Sequence, residues 1–183
     1  YEMQRSLVGS GDVYKRQIVE KATGEKLSDY VSRKLWTPMH AEESALWSLD
    51  RKDGMEKAYC CFNSNARDFA RFGQLLLNNG QWDGQQLISP AYLAEATSPD
   101  ARLVYKDLGK PNHCYGFQYW ILDYKGMKIP YMRGILGQYV FTLPEKNAVI
   151  VRLGHKRSDT YTADQHYPDD INTWLDAAMD LLQ

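Results

Sequence analysis

The chain is poor in cysteine and has neither a long apolar run nor an excess of charge of one sign. Its 183 residues include three cysteines, 22 basic residues and 23 acidic residues. Three cysteines, two of them adjacent, cannot form the several disulfides of a small secreted scaffold, and they lack the spacing of a cysteine metal site. A net charge of -1 without a basic run excludes the electrostatic surface of a nucleic-acid-binding protein. No apolar stretch reaches the length of a membrane span.

The composition that remains is typical of a folded globular chain. Hydrophobic residues make up 44% of the sequence and charged residues 25%, which is enough to form and cover one core. His155, Asp159, Asp164 and His166 lie close together in sequence, but their spacing matches no metal-ligand pattern. We therefore predict no metal site and no cofactor, and we interpret this polar stretch as solvated surface.

The first 17 residues, YEMQRSLVGSGDVYKRQ, differ from everything that follows. They have no periodic apolar pattern and none of the three parts of a secretory signal. The stretch SGDVYKRQ also resembles a translated adapter sequence. We predict that residues 1–17 are non-native or disordered and that residues 18–183 are the C-terminal part of a single domain. A native but loosely held terminus is the alternative.

Residues 18–100 carry helical signals. One predicted helix ends at Gly24, the next starts near Ser28 and ends before Pro38, and a short one is entered through Ser89 and Pro90. The strongest signal is ARDFARFGQLLL, whose apolar residues recur at helical spacing up to Asn79-Gly80. The last predicted helix, near the C-terminus, places the apolar residues Ile171, Trp174, Leu175, Ala178 and Leu182 inward.

From Tyr115 the apolar period changes to two, which predicts strands. The segments YGFQYWILDY, MKIPYMRG, GQYVFTLP and NAVIVRLGH are separated by short connections, so they should pair as an antiparallel meander of three or four strands. Helices first, a sheet second and a closing helix over one sheet face predict an α+β fold. Gly134 and Gly137 interrupt what otherwise reads as sheet core, where glycine is unfavourable unless a bulge or a ligand approaches the backbone.

In their order along the chain, the segments EKATGEKLSDYVSRKLWTPM, NARDFARFGQLLLNNG and RGILGQYVFTLPEKNAVIVRLGH resemble the C-terminal half of the serine β-lactamase family. That family includes class C β-lactamases, penicillin-binding D-alanyl-D-alanine peptidases and related esterases. The resemblance runs from about Ile18 to the end of the chain. It implies a β-lactamase/transpeptidase-like fold truncated at its N-terminus, and hydrolysis of an ester, amide or β-lactam through an acyl-enzyme.

Two of the family's three catalytic elements are missing from the sequence. The family uses a Ser-x-x-Lys nucleophile, but no serine here has a lysine three residues later: Ser28 is followed by Val31 and Ser64 by Arg67. The family's Tyr-x-Asn loop should fall within residues 1–17, where Val8 stands at its position and cannot transfer a proton. We therefore expect this chain alone to be inactive.

The resemblance places the third element, a strand that lines the pocket, at Met132, Arg133, Gly134, Gly137 and Gln138. It implies that the backbone N–H of Ile135 is one oxyanion donor and that substrate lies against Gly134. Met132 and Arg133 stand where the family has a cation and a hydroxyl residue, and only one of two consecutive strand residues can point inward. We therefore expect a broader esterase or amidase rather than strict β-lactam specificity. Gln138 is open to a structural or a site role.

A second function class stays open, namely a non-catalytic ligand-binding or sensing module on the penicillin-recognising fold. In either case the partner would be a small-molecule substrate or ligand. The residues themselves do not identify a compartment, whereas the family analogy is compatible with a periplasmic or otherwise exported parent.

Overall fold

In the computed structural model, residues 12–58, 60–100, 102–105, 109–164 and 166–182 are described. The chain divides into two compact units, with the boundary between Asp68 and Phe69. This boundary falls inside one helix, Ala66–Leu77, and the single domain that the sequence predicts for residues 18–183 remains a prediction.

The N-terminal unit is mainly helical. Helix α1 ends beside Gly24, whose φ of +72° and N–H bond to the Glu20 carbonyl (2.8 Å) form the expected C-cap. Ser28 does not cap the next helix, because its hydroxyl and its N–H both donate to the Glu56 carboxylate. The elements are α1 (Asp12–Thr23), α2 (Leu27–Val31), a π-helical turn (Ser32–Trp36), the antiparallel pair β1 (Leu46–Trp47) and β2 (Phe62–Asn63), and the first turn of α3 (Ala66–Leu77).

Helix α1 begins at Asp12, six residues before the boundary that the sequence predicted. Arg16 is 4% exposed and forms an ion pair with Glu20 one turn later. Residues 12–17 therefore lie in a helix, in the stretch for which the sequence predicts a non-native or disordered segment. Arg16 is a buried residue of this helix, and a buried arginine adds nothing to an apolar periodic pattern in the sequence. Whether the segment is native stays a prediction, and residues 1–11 lie outside the described residues.

The C-terminal unit contains the predicted antiparallel meander. Its four strands, Trp120–Tyr124, Met127–Arg133, Tyr139–Leu143 and Ala148–Arg152, pair in chain order, so every strand lies beside its neighbour in sequence. The elements of this unit after α3 are β3 (Gln81–Trp82), β4 (Gln85–Gln86), α4 (Pro90–Ala96), β5 (Val104–Tyr105), β6 (Lys110–Pro111), β7 (Trp120–Tyr124), β8 (Met127–Arg133), β9 (Tyr139–Leu143), β10 (Ala148–Arg152) and α5 (Asp170–Leu181).

Helices pack on both faces of this sheet. On one face Ile171 and Leu175 of α5 are fully buried against Tyr131 and Phe141. On the other face α3 approaches β10 so closely that a Cβ on Gly73 would lie 2.5 Å from Val149. The α+β fold is confirmed, with one helix layer more than the closing helix that the sequence predicted.

Trp174 does not point into the core. It is 43% exposed, its indole N–H donates to the Asp170 carboxylate (3.3 Å), and the Arg152 guanidinium lies 4.6 Å from its ring centre. Leu182, which follows the last residue of α5, is 38% exposed. The prediction that both point inward is wrong, because a tryptophan with a polar tip and a charged partner is stable at the helix edge.

Candidate functional site

The two glycines of the predicted site border a hairpin loop. Strand β8 ends at Arg133, which pairs with Tyr139 at the start of β9, so residues 134–138 connect the strands. Within this connection Ile135–Gly137 form a 3₁₀ turn in which Leu136 has a φ of +59° and Gly137 a φ of +83°. The expectation that these glycines interrupt a core strand is wrong, since the left-handed backbone ends the pairing. Because the resemblance predicts an oxyanion donor at Ile135, we call residues 134–138 the oxyanion loop.

The oxyanion loop closes on itself through Gly134. The Gly134 N–H donates to the Gln138 carbonyl at 2.8 Å. A Cβ on Gly134 would lie 2.9 Å from the Gln138 Cβ, closer than carbon atoms pack. The close approach of Gln138 across the loop therefore explains why position 134 is a glycine, without reference to a ligand.

Gln138 ties the loop to the segment that follows β10. Its side-chain amide donates to the Gly154 carbonyl and its amide oxygen accepts the Gly154 N–H at 3.2 Å. Both ends of one side chain are thus bonded to the backbone of one residue. This geometry fixes the C-terminal end of the loop without a substrate.

Arg152 makes the second connection. Its guanidinium donates to the Gly137 carbonyl at 2.6 Å and to the Lys156 carbonyl at 2.8 Å. A Cβ on Gly137 or on Gly154 would overlap this guanidinium. The two glycines therefore leave the space that the Arg152 head group fills.

Met132 and Arg133 lie on opposite faces of β8. Met132 pairs with Val140 in the sheet, whereas Arg133 lies on the same face as Tyr131. The Arg133 guanidinium stacks on Trp120 at 3.4 Å from the ring centre and donates to the His166 carbonyl at 2.9 Å. Arg133 thus already has an aromatic partner and a backbone acceptor in the chain itself.

The exposed surface of the oxyanion loop is apolar and carries one unused backbone donor. Ile135 is 56% exposed and Leu136 is 48% exposed. Among the residues that the structure describes, the Ile135 N–H donates to no acceptor. An exposed amide beside two aliphatic side chains can bind a carbonyl oxygen or an oxyanion.

Two tyrosines of the strands that flank the loop have raised pKa values. Burial raises the pKa of Tyr131, and burial raises that of Tyr139 to about 12. The Tyr139 hydroxyl is buried and finds no hydrogen-bond partner among the described residues. The loop therefore provides dipoles and apolar contacts, while proton transfer would need groups from elsewhere.

Some residues that hold the loop were missed by sequence reasoning. Arg152, Gly154 and Trp120 were not predicted as part of the site. The one available signal was an arginine at the end of the apolar run AVIV, where a charge needs a partner.

Within the described ranges no group of three or more His, Cys, Asp or Glu side chains could hold a metal ion, and no helix has the length and apolar content to cross a bilayer.

Comparisons with known proteins agree on the family. The Beta-lactamase family model matches residues 14–171. A 6-aminohexanoate-dimer hydrolase from Paenarthrobacter ureafaciens is 28% identical over 140 residues, which are 74% of this chain and 35% of that protein. A solved Bacillus anthracis structure, provisionally named a 6-aminohexanoate-dimer hydrolase, matches with a TM-score of 0.69 and 26% identity over 91% of this chain and 40% of its own.

A second solved structure supports the fold alone. It is a provisionally named β-lactamase from Bacteroides dorei DSM 17855, with a TM-score of 0.60, 14% identity, and coverage of 89% of this chain and 54% of its own. This chain thus spans between about a third and about half of the length of these relatives. Since the family model matches most of the chain and the helices and meander agree with it, the chain belongs to the β-lactamase family.

Proposed function

We propose that this chain supplies part of the oxyanion hole of a serine hydrolase that works through an acyl-enzyme, with the Ile135 N–H as one donor. The observation that carries the proposal is this exposed amide, which donates to no acceptor among the described residues. A neutral donor without an acceptor in the chain is suited to the negative oxygen that develops when a nucleophile attacks an ester or amide carbonyl.

The supports of the loop favour a preorganised donor. Gln138 and Arg152 bond the loop to the backbone at Gly154 and Lys156 before any substrate arrives. Because a donor that is already in position does not have to reorganise during the reaction, it stabilises the transition state more than a mobile one. In this proposal Gly137 and Gln138 form part of the pocket wall, and the Gly134 N–H closes the loop by its bond to the Gln138 carbonyl.

The surroundings of the amide favour a neutral substrate with an apolar chain. Arg133 is engaged by Trp120 and the His166 carbonyl, and Met132 has no charge to bind a carboxylate. Ile135 and Leu136 present aliphatic surface beside the donor. A relative is named for hydrolysis of the 6-aminohexanoate dimer. For this chain we propose a neutral ester or amide, rather than a β-lactam held by its carboxylate.

The nucleophile of this proposal lies outside the 183 residues. No serine in them is followed three positions later by lysine, and a serine without an activating base is a weak nucleophile at neutral pH. We therefore expect a fluorophosphonate probe and penicillin to leave the purified chain unlabelled. The same reagents should acylate a serine in the full-length protein that carries the family's Ser-x-x-Lys element.

Replacing Ile135 by proline in the full-length protein tests the donor directly. Proline removes the N–H, and it suits this position because Ile135 is the first residue of the turn and Gly134 before it is extended, with φ -101° and ψ 174°. The acylation rate should fall by about 10²–10³. Ile135→Ala is the matched control, since it shortens the side chain, keeps the N–H and should retain most of the rate for a small neutral ester.

Three results would contradict the proposal. Equal rates for the Ile135→Pro and Ile135→Ala variants would remove the amide from the mechanism. Stable labelling of a serine within the 183-residue chain would place the nucleophile here. Reversible binding of penicillin by the full-length protein without acylation would favour the non-catalytic binding module.

For specificity, Arg133→Ala should slow the hydrolysis of anionic and neutral esters equally. A selective loss of rate for anionic esters would show that Arg133 binds a carboxylate.

A further inference from the structure

Cys60 and Cys61, neighbours in sequence, are joined to each other by a disulfide. They lie in the segment between β1 and β2, with Cys60 half-buried and Cys61 exposed. We propose that this pair is a reversible redox-modification site, opened by a dithiol reductant, and that its oxidation state sets the conformation of the segment that ends in β2. We call residues 46–58 and 60–63 the redox hairpin.

The backbone of the pair is bonded to β1. The Cys61 carbonyl accepts the N–H of Ser48 at 3.0 Å and the side-chain amide of Asn63 at 2.8 Å. The Cys60 carbonyl accepts the indole N–H of Trp47 at 3.1 Å. A change in the backbone of the two cysteines therefore moves the acceptors of Trp47 in β1, of Ser48 directly after it and of Asn63 in β2.

Cys61 has a φ of +70°, in the left-handed region that non-glycine residues rarely adopt. A ring closed across a single peptide bond restricts the φ and ψ angles of both cysteines. Reduction removes that restriction, so Cys61 can return to a negative φ. Its carbonyl then turns away from the Ser48 N–H, which loses its acceptor.

The exchange balances with a dithiol as the reductant. One thiolate of the dithiol attacks the sulfur of the exposed Cys61, and the disulfide electron pair leaves on the Cys60 sulfur, which takes up a proton. The second thiolate of the reductant then attacks the mixed disulfide. It releases Cys61 as a thiolate, which is protonated in turn, and the reductant leaves as its own cyclic disulfide. Oxidised glutathione reverses the sequence and leaves as two molecules of reduced glutathione.

Cys114 provides an internal control within the same chain. It is a free cysteine, 1% exposed, and burial raises the pKa of its thiol. A buried thiol with little thiolate reacts slowly with alkylating reagents. Slow labelling of Cys114 therefore shows the effect of burial on a free thiol. The labelling of Cys60 and Cys61 in the same sample shows their oxidation state.

Intact mass and alkylation of the native 183-residue chain test the modification. After equilibration with oxidised glutathione, the mass should be lower than that of the reduced chain by two hydrogens, with no glutathione adduct and no rapid alkylation by N-ethylmaleimide. After treatment with dithiothreitol, two rapid alkylations should appear at Cys60 and Cys61. The variants Cys60→Ser and Cys61→Ser should each take up one glutathione, whereas Cys114→Ser should behave as the unchanged chain does.

Hydrogen exchange tests the conformational consequence. Dithiothreitol should accelerate exchange of the Ser48 amide at least tenfold and leave the strands at Val140 and Ile150 unchanged. In the Cys60→Ser, Cys61→Ser double variant dithiothreitol should change nothing, because the ring is already absent. A stable glutathione adduct on the unchanged chain would overturn the site, and Ser48 exchange that is the same in both oxidation states would overturn the coupling to the redox hairpin.

Discussion

Replacing Gly137 by alanine should destabilise the fold more than the backbone conformation alone predicts. Gly137 has a φ of +83°, where a residue with a Cβ is disfavoured by about 1–2 kcal/mol. The new Cβ would also overlap the Arg152 guanidinium. Displacing that group breaks its bonds to the Gly137 and Lys156 carbonyls, which adds about 1.5–3 kcal/mol. The free energy of unfolding should therefore fall by about 2.5–5 kcal/mol in total.

Gly126 supplies the matched control. It lies in the turn between β7 and β8 of the same sheet, has a φ of +89°, and would have no neighbour within 4 Å of an added Cβ. Gly126→Ala should therefore lose only the backbone contribution, about 1–2 kcal/mol. Urea unfolding followed by tryptophan fluorescence measures both variants under one condition.

A double-mutant cycle separates the two contributions. In an Arg152→Ala background the guanidinium is absent and the added Cβ still meets the Lys156 carbonyl oxygen, at 2.9 Å, so Gly137→Ala should lose less than it does in the unchanged background. The difference between the two backgrounds is the coupling of Gly137 to Arg152, which we expect to be about 1.5–3 kcal/mol. Equal losses for Gly137→Ala and Gly126→Ala in the unchanged background would refute the reasoning that Arg152 holds the oxyanion loop.

Two other predictions concern buried polar groups. Asp68 is fully buried and accepts the backbone N–H groups of Glu42 and Glu43 at 2.8 and 3.1 Å, so Asp68→Ala should lower the free energy of unfolding by about 3 kcal/mol. Asp68→Asn should lose less in the same urea titration, and a loss below about 1 kcal/mol for alanine would contradict the role of the carboxylate. Tyr139→Phe should leave the melting temperature unchanged or raise it, because its hydroxyl has no partner among the described residues. Tyr167→Phe, which removes a 2.9 Å bond to Asn172, should lose about 1 kcal/mol. Because the pKa of Tyr139 is raised to about 12, the unchanged chain should lose stability as the pH rises from about 10 towards that value. Tyr139→Phe should lose less over this range, and equal alkaline losses would show that Tyr139 is not responsible.

Much of the fold could be predicted because its signals are local. The period of two from Tyr115 onward predicted the meander, and the spacing of Ile171 and Leu175 predicted the buried face of α5. Gly24 ends α1 as predicted, since the requirement for a positive φ is local as well. The start of α1 at Asp12 was missed because Arg16, which is buried in the helix, is a polar residue.

The shape of the candidate site depends on contacts between residues far apart in sequence, which no periodic pattern records. Gly137 meets Arg152 across the hairpin, and Gln138 meets Gly154 after the next strand. Arg133 could be read as a carboxylate anchor from its position, but its partner Trp120 comes from β7 and its acceptor His166 from the loop before α5. These partners can be identified only from the pairing of the strands in the structure.

The same contacts connect stability to the proposed chemistry. If Arg152 fixes the loop on which Ile135 lies, a change that breaks the bond from Arg152 to Gly137 should move the donor as well as weaken the fold. In the proposed longer protein with a Ser-x-x-Lys element, Gly137→Ala should then slow acylation, whereas Gly126→Ala should lower stability without slowing acylation of the molecules that remain folded. Measured well below the melting temperature of each variant, a rate loss confined to Gly137→Ala would support a donor positioned by Arg152. Equal rates for the two variants would mean that the loop keeps its geometry without this bond, and that Gln138 alone is sufficient to hold it.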